Sequence, residues 1–186
     1  MVKYRYTFEF VGENMKIIWI DGTFGSGKTA VANAIAKKMN NVYLLEFDAL
    51  QMKYKPNSIS DFYGERYPEA KKYLINALIN EILEIRQERN YDYLIIPIAL
   101  INDYCKEKLV MGFMDIESYH FILTATNEIL YQRIYAQENR DVDLAVTYMP
   151  NAIMYLNNHY SDAFRIDTSN MSVDNVVEKI VKIIMG

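Results

Sequence analysis

Eight consecutive residues, Gly22-Thr23-Phe24-Gly25-Ser26-Gly27-Lys28-Thr29, satisfy the phosphate-binding pattern G-x-x-x-x-G-K-[ST] at every defined position. Each residue type has a physical reason to be there. Glycines let the backbone curl until successive N–H groups converge on an anion. The lysine ammonium neutralises the β- and γ-phosphates, and the threonine hydroxyl completes the coordination of Mg²⁺. The octet lies between an apolar run, Ile17-Ile18-Trp19-Ile20, and a helix-forming stretch from Ala30 to Lys38. A helix starting there points the positive end of its dipole at the bound anion. The chain is therefore expected to bind a nucleoside triphosphate.

Other polar residues gain interest from the edge on which this loop must lie. Open α/β sheets bind ligands outside the carboxyl ends of their strands. Glu46 and Asp48 follow the apolar run Val42–Leu45. A carboxylate there can take the proton of a substrate hydroxyl and orient it for in-line attack on the γ-phosphate. Asp48 is the first candidate for that base and Glu46 the second; the alternative for Asp48 is a carboxylate complementing a helix dipole. Arg133 and Arg140, two helical turns apart, suit a lid that covers the triphosphate and stabilises developing charge. The alternative for each is a solvated surface arginine. Asp21, next to the loop, either holds the metal through water or shapes the turn. Asp103 is expected to cap a helix. Asp167-Thr168-Ser169-Asn170 form a loop suited to pack beside a nucleotide base, although by residue type alone it is a turn.

These groups require a scaffold, and the hydrophobic pattern supplies one. Mostly continuous apolar runs at 16–20, 42–46, 93–98, 119–124 and 164–166 read as strands buried on both faces. They alternate with stretches of helical period. Leu74, Ala77, Leu78, Ile82 and Ile85 make one stripe, and Val176, Val177, Ile180, Val181 and Ile184 another. Thr126 and Ser172 are placed to cap the helices that follow them. The expected architecture is a parallel sheet with helices on both faces, forming one domain over 15–186. Lys3–Phe10 alternates strictly between apolar and polar, so residues 1–14 are expected to form an extension or an added edge strand.

Composition narrows the classes further. The 186 residues are 51% hydrophobic and 24% charged with a net charge of −4, which gives no general attraction to nucleic acid or to an anionic membrane. The single cysteine, Cys105, cannot form an internal disulfide and fits a reducing cytoplasm. No apolar run is long enough to span a bilayer, and polar residues interrupt the N-terminal segment where a secretory leader would be apolar. An oligomer is compatible with everything above.

The stretch Ile17-Ile18-Trp19-Ile20-Asp21-Gly22-Thr23-Phe24-Gly25-Ser26-Gly27-Lys28-Thr29 resembles the opening of the tunicamycin-resistance-type P-loop proteins, a group within the nucleotide- and small-molecule-kinase superfamily. That group reads I-I-W-I-N-G-x-F-G-S-G-K-T. Tyr67-Pro68, Leu94–Ile98, His120–Leu123 with Ala125, Arg133 and Asp167–Asn170 are similar to its later blocks. The resemblance runs from about Met15 to the end of the chain. It implies a three-layer kinase-like fold with strand order 2-3-1-4-5, ATP with Mg²⁺, and a phosphotransferase-like site. It also makes Asp48 look like the catalytic aspartate of antibiotic phosphotransferases, Arg133 like a lid arginine and Asp167–Asn170 like an adenine-side loop. Asp21 departs from the usual Asn, and Gln137 stands where a second lid arginine is expected.

The antibiotic specificity does not transfer. Residues 50–73, the expected substrate cover with Tyr54, Tyr63, Arg66 and Tyr67, match poorly. Two functions follow: a kinase acting on a hydroxyl of a small molecule, a nucleoside-like compound or an antibiotic among the options, or an ATP-binding protein that sequesters a ligand without phosphorylating it.

Overall fold

The computed structural model describes residues 15–47, 49–50, 67–88, 90–138 and 141–186. Residues 1–14, with their proposed strand, lie outside the described residues, as do Asp48, Tyr54, Tyr63, Arg66, Arg140 and the side chain of Tyr67.

Strand β1 (Lys16–Gly22) leads through the phosphate-binding loop into helix α1 (Lys28–Lys38) and then β2 (Val42–Leu44). Helix α2 (Tyr67–Glu88) precedes β3 (Tyr93–Pro97). A short helix, α3 (Asp103–Cys105), runs on as a π-helical turn at Lys106–Val110. The chain continues with β4 (Ser118–Thr124), α4 (Asn127–Tyr135), α5 (Val142–His159), β5 (Phe164–Asp167) and α6 (Val173–Met185). The strands form a parallel sheet of order β2-β3-β1-β4-β5, as the resemblance implied.

Alternation along the central strand explains the layers, because successive side chains of a strand point to opposite faces. Ile17 and Trp19 enter one core with Leu94 and Ile96, covered by Leu74, Leu78 and Ile82 of α2 and by Leu156 and Tyr160 at the end of α5. Ile18 and Ile20 enter the other with Phe121 and Leu123, covered by Val31 and Ile35 of α1 and by Val176, Ile180 and Ile184 of α6. Thr126 and Ser172 cap α4 and α6, each side chain accepting the N–H three residues on.

Three expectations shift. Strand β2 stops at Leu44, two residues short, because after Leu45 donates to the Ile95 carbonyl the chain turns and the Glu46 carbonyl accepts from Ala49 and Leu50. Helix α1 starts at Lys28, since Gly27 with φ of 96° is its N-cap. Asn102, not Asp103, caps α3: its side chain accepts the Cys105 N–H, leaving Asp103 to accept from the Tyr155 hydroxyl. No helix of the described residues is long and apolar enough to cross a membrane.

Candidate functional site

The phosphate-binding loop is built as its sequence requires. Gly25 has φ of 74°, and a Cβ there would sit 2.8 Å from the Leu130 carbonyl oxygen of α4, so both conformation and space demand glycine. At Gly27 the space around a Cβ is open, and the positive φ alone makes the demand. Phe24 packs on the small core made by Leu130 and Ile134 of α4 with Ala145 and Met149 of α5, which seats the loop against both helices. Thr23 is buried, its hydroxyl 3.5 Å from the Met149 carbonyl oxygen.

Lys28 lies across the loop, its ammonium donating to the carbonyls of Gly22 and Thr23, each at 2.9 Å. No side chain caps the start of α1, and no acidic residue occupies its first turn. Those N–H groups and the helix dipole therefore favour an anion. Ser26 adds a second sign of a ligand. Its side chain is 1% exposed, and its hydroxyl finds no hydrogen-bond partner among the described residues. A buried hydroxyl left unpaired costs about 1–3 kcal/mol, a cost that a phosphate oxygen in the cradle would offset. Thr29 is exposed at the start of α1, open to a metal ion. The residues present fit a triphosphate with Mg²⁺.

Asp21, expected to reach a metal through water or to shape the turn, is engaged in the second role. Its side chain is fully buried. Oδ1 accepts from the backbone N–H of Gly22 at 2.6 Å and of Leu100 at 3.1 Å, and Oδ2 accepts from His120 Nε2 at 3.0 Å. Sequence reasoning passed over His120 as the partner of this buried carboxylate. The structure explains their meeting: the β1–β4 register places His120 opposite Trp19, so Asp21, two residues on, shares its face of the sheet.

At the carboxyl end of β5, Arg133 donates from Nη1 to the Thr168 hydroxyl at 2.9 Å and from Nη2 to the Thr168 carbonyl at 2.8 Å. Thr168 is itself tied to the Thr124 carbonyl through its N–H and its hydroxyl. Asp167 accepts from both the hydroxyl and the N–H of Ser169, bonds that hold its carboxyl below the usual carboxylate range. The Ser169 hydroxyl also accepts the Thr126 N–H. Arg133 and Asp167–Ser169 thus meet as one unit.

After β2, Glu46 Oε1 accepts from Asn33 Nδ2 at 2.9 Å, anchoring the carboxylate to α1. Asn33 was also missed; it occurs within a helical stripe and nothing in its spacing marks it. The residue between Glu46 and the end of that turn most wanted for catalysis, Asp48, is outside the described residues.

Comparison with known proteins agrees with this architecture. Cytidylate kinase from Clostridium tetani is 26% identical over 211 aligned positions, spanning 90% of this chain and 93% of that protein. In structure, the tunicamycin resistance protein of Deinococcus radiodurans superposes with a TM-score of 0.69 at 20% identity, over 92% of this chain and 96% of that one. Shikimate kinase from Acinetobacter baumannii gives 0.68 at 18% identity, over 93% and 94%. The fold is therefore that of the P-loop kinases, and the resemblance to the tunicamycin-resistance type extends over the whole sheet. The AAA domain profile matches residues 18–165, from β1 through the phosphate-binding loop to the start of β5, and the chain belongs to that family.

Proposed function

We propose that the chain is an ATP-dependent kinase that transfers the γ-phosphoryl group to a hydroxyl of a small acceptor. The observation that carries this reading is the cradle itself: the positive-φ glycines, the buried Ser26 hydroxyl, unpaired among the described residues, and Lys28 converge at the carboxyl edge of the sheet, with β3 between them and the strand that precedes Glu46. The C. tetani relative bears the name of a phosphotransferase, which supports the same class.

In this reading Gly22–Thr29 bind the triphosphate, and Lys28 exchanges its two carbonyl acceptors for phosphate oxygens. Thr29 would hold Mg²⁺, which would supply neutralisation of the phosphate charge. The acceptor oxygen forms a bond to the γ-phosphorus as the bond to the β–γ bridging oxygen breaks. The bridging electron pair leaves with ADP, and the acceptor proton passes to Asp48 or Glu46. Arg133 and Arg140 would stabilise charge on the moving phosphoryl group from the lid, with Arg133 also fixing Asp167–Ser169 beside the base. Glu46, just after β2, is a carboxylate of the kind that suits an acceptor presenting hydroxyls.

The test incubates the protein with γ-labelled ATP and a panel of nucleosides, nucleotides, sugars and uridine-type antibiotics. Label in one acceptor, lost with Lys28→Ala, supports the reading; tight ATP binding with no labelled acceptor argues against it. Gln137, in place of a second lid arginine, favours one other reading: ATP-gated sequestration of a ligand. Mass spectrometry of the recovered ligand separates the two, because an added phosphate rules out pure sequestration.

A further inference from the structure

Leu100 is held at both of its backbone polar groups. Its N–H donates to Asp21 Oδ1 at 3.1 Å, and its carbonyl accepts from the Tyr160 hydroxyl at 3.0 Å. Asp21 Oδ1 also receives the Gly22 N–H, the first amide of the phosphate-binding loop. A single carboxylate oxygen therefore joins the end of β1 to the segment that follows β3. The other oxygen is held by His120 of β4, whose ring meets that of Tyr160 edge-on at 4.7 Å between centroids.

The members of this cluster are buried: Asp21 and Leu100 fully, Tyr160 at 2% exposure, with the His120 side chain at 12%. Burial, with the Asp21 charge nearby, pushes the Tyr160 phenol far above its ordinary value, so the hydroxyl keeps its proton and donates. A buried carboxylate must be compensated by donors, and its geometry is then set by them. Two segments, 79 and 99 residues along the chain from Asp21, converge on its carboxylate.

We propose that His120 and Tyr160 are positioning residues that act through Asp21 and Leu100 to hold the first amide of the phosphate-binding loop in fixed register with the segment after β3. In an α/β sheet these are the two edges between which a triphosphate and its acceptor must be aligned, and misplacement by an ångström is costly in rate. The inference rests on triphosphate binding at Gly22–Thr29 and on no assumption about the acceptor.

The test compares wild type with His120→Ala, His120→Gln and Tyr160→Phe. It measures amide deuterium exchange over 19–28 and 98–104, the dissociation constant of a fluorescent ATP analogue with Mg²⁺, and the melting temperature. His120→Ala should speed exchange in both segments and weaken the analogue about tenfold. His120→Gln, whose side-chain amide again offers an N–H to Asp21, should bring affinity back to within about threefold of wild type. Tyr160→Phe should speed exchange at 98–104 more than at 19–28.

Unchanged exchange and affinity in His120→Ala overturn the proposal. So does a His120→Gln protein no better than His120→Ala, or exchange that rises uniformly over the sheet in step with melting temperature. Should His120→Ala fail to fold, the Gln and Phe variants decide by the same two segments. If the wild type binds no triphosphate analogue, the kinase reading falls, while the exchange pattern still tests the clasp.

Discussion

Arg133 holds Thr168 twice, one guanidinium nitrogen on the hydroxyl and the other on the carbonyl, at 2.9 and 2.8 Å. The fork shape of the guanidinium is what permits this, since two parallel donors meet two acceptors of one residue. The contact binds α4 to the loop after β5. Arg133→Ala should therefore weaken nucleotide binding about tenfold by loosening the loop after β5, and Arg133→Lys should not restore it, because a flexible ammonium lacks the rigid planar pair of donors that the guanidinium presents to the two Thr168 oxygens. A titration with a fluorescent ATP analogue reads both; full rescue by lysine would show that charge alone matters.

Lys28 bridges the carbonyls of Gly22 and Thr23. Its removal takes away two charge-assisted hydrogen bonds of the loop together with the cation that faces phosphate. Lys28→Ala should lower turnover by at least about a hundredfold, the scale on which a lost electrostatic donor is felt. The fold should survive, since the ammonium is not part of either core. Circular dichroism and labelled-ATP turnover check the two halves; a folded variant with wild-type turnover sinks the assignment.

The glycines of the loop predict two different costs. At Gly25 a methyl group would meet the Leu130 carbonyl oxygen at 2.8 Å and Ile134 at 3.2 Å, with φ of 74°. At Gly27 only the backbone conformation objects. Gly27→Ala should cost about 1–2 kcal/mol, the ordinary penalty for a left-handed residue, and Gly25→Ala should exceed it. Thermal or urea denaturation ranks them, and an equal cost would mean that α4 yields freely to the loop.

How much of this was legible beforehand depended on distance along the chain. The five strands could be read because burial on both faces leaves continuous apolar runs, and the phosphate loop because its chemistry is local. The end of β2 was overrun, since Leu45 and Glu46 look like strand by residue type, and only the turn closed on the Glu46 carbonyl reveals the break. Asp103 reads as a cap by residue type, but its neighbour Asn102 is of a type that caps about equally well and is the one that does so. The role of Asp21 was hidden for a different reason. Its partners Leu100 and His120 lie 79 and 99 residues away, and hydrogen bonds across strands leave no period in a sequence. Gln137 and Asp21 stood out as departures from the family pattern, yet only the β1–β4 register explains how Asp21 is compensated.

Ser169 anchors the loop after β5 through Asp167, donating both its hydroxyl and its N–H to Oδ1. These bonds favour the charged carboxylate, so the folded-state value lies below the ordinary one near 3.9. By linkage, the stabilising effect is complete above the unfolded value and is lost as pH falls through the depressed folded value. Ser169→Ala removes the hydroxyl bond and leaves the N–H bond. The Asp167 carboxyl should then titrate at higher pH, followed by its carboxyl carbon resonance in an NMR titration. The same variant also frees the Thr126 N–H at the start of α4. Nucleotide affinity should consequently fall by a few-fold in the variant at neutral pH, where Asp167 is charged in both proteins. A raised Asp167 value with unaltered affinity would separate the loop's electrostatics from its function and leave Arg133 as the contact that shapes it.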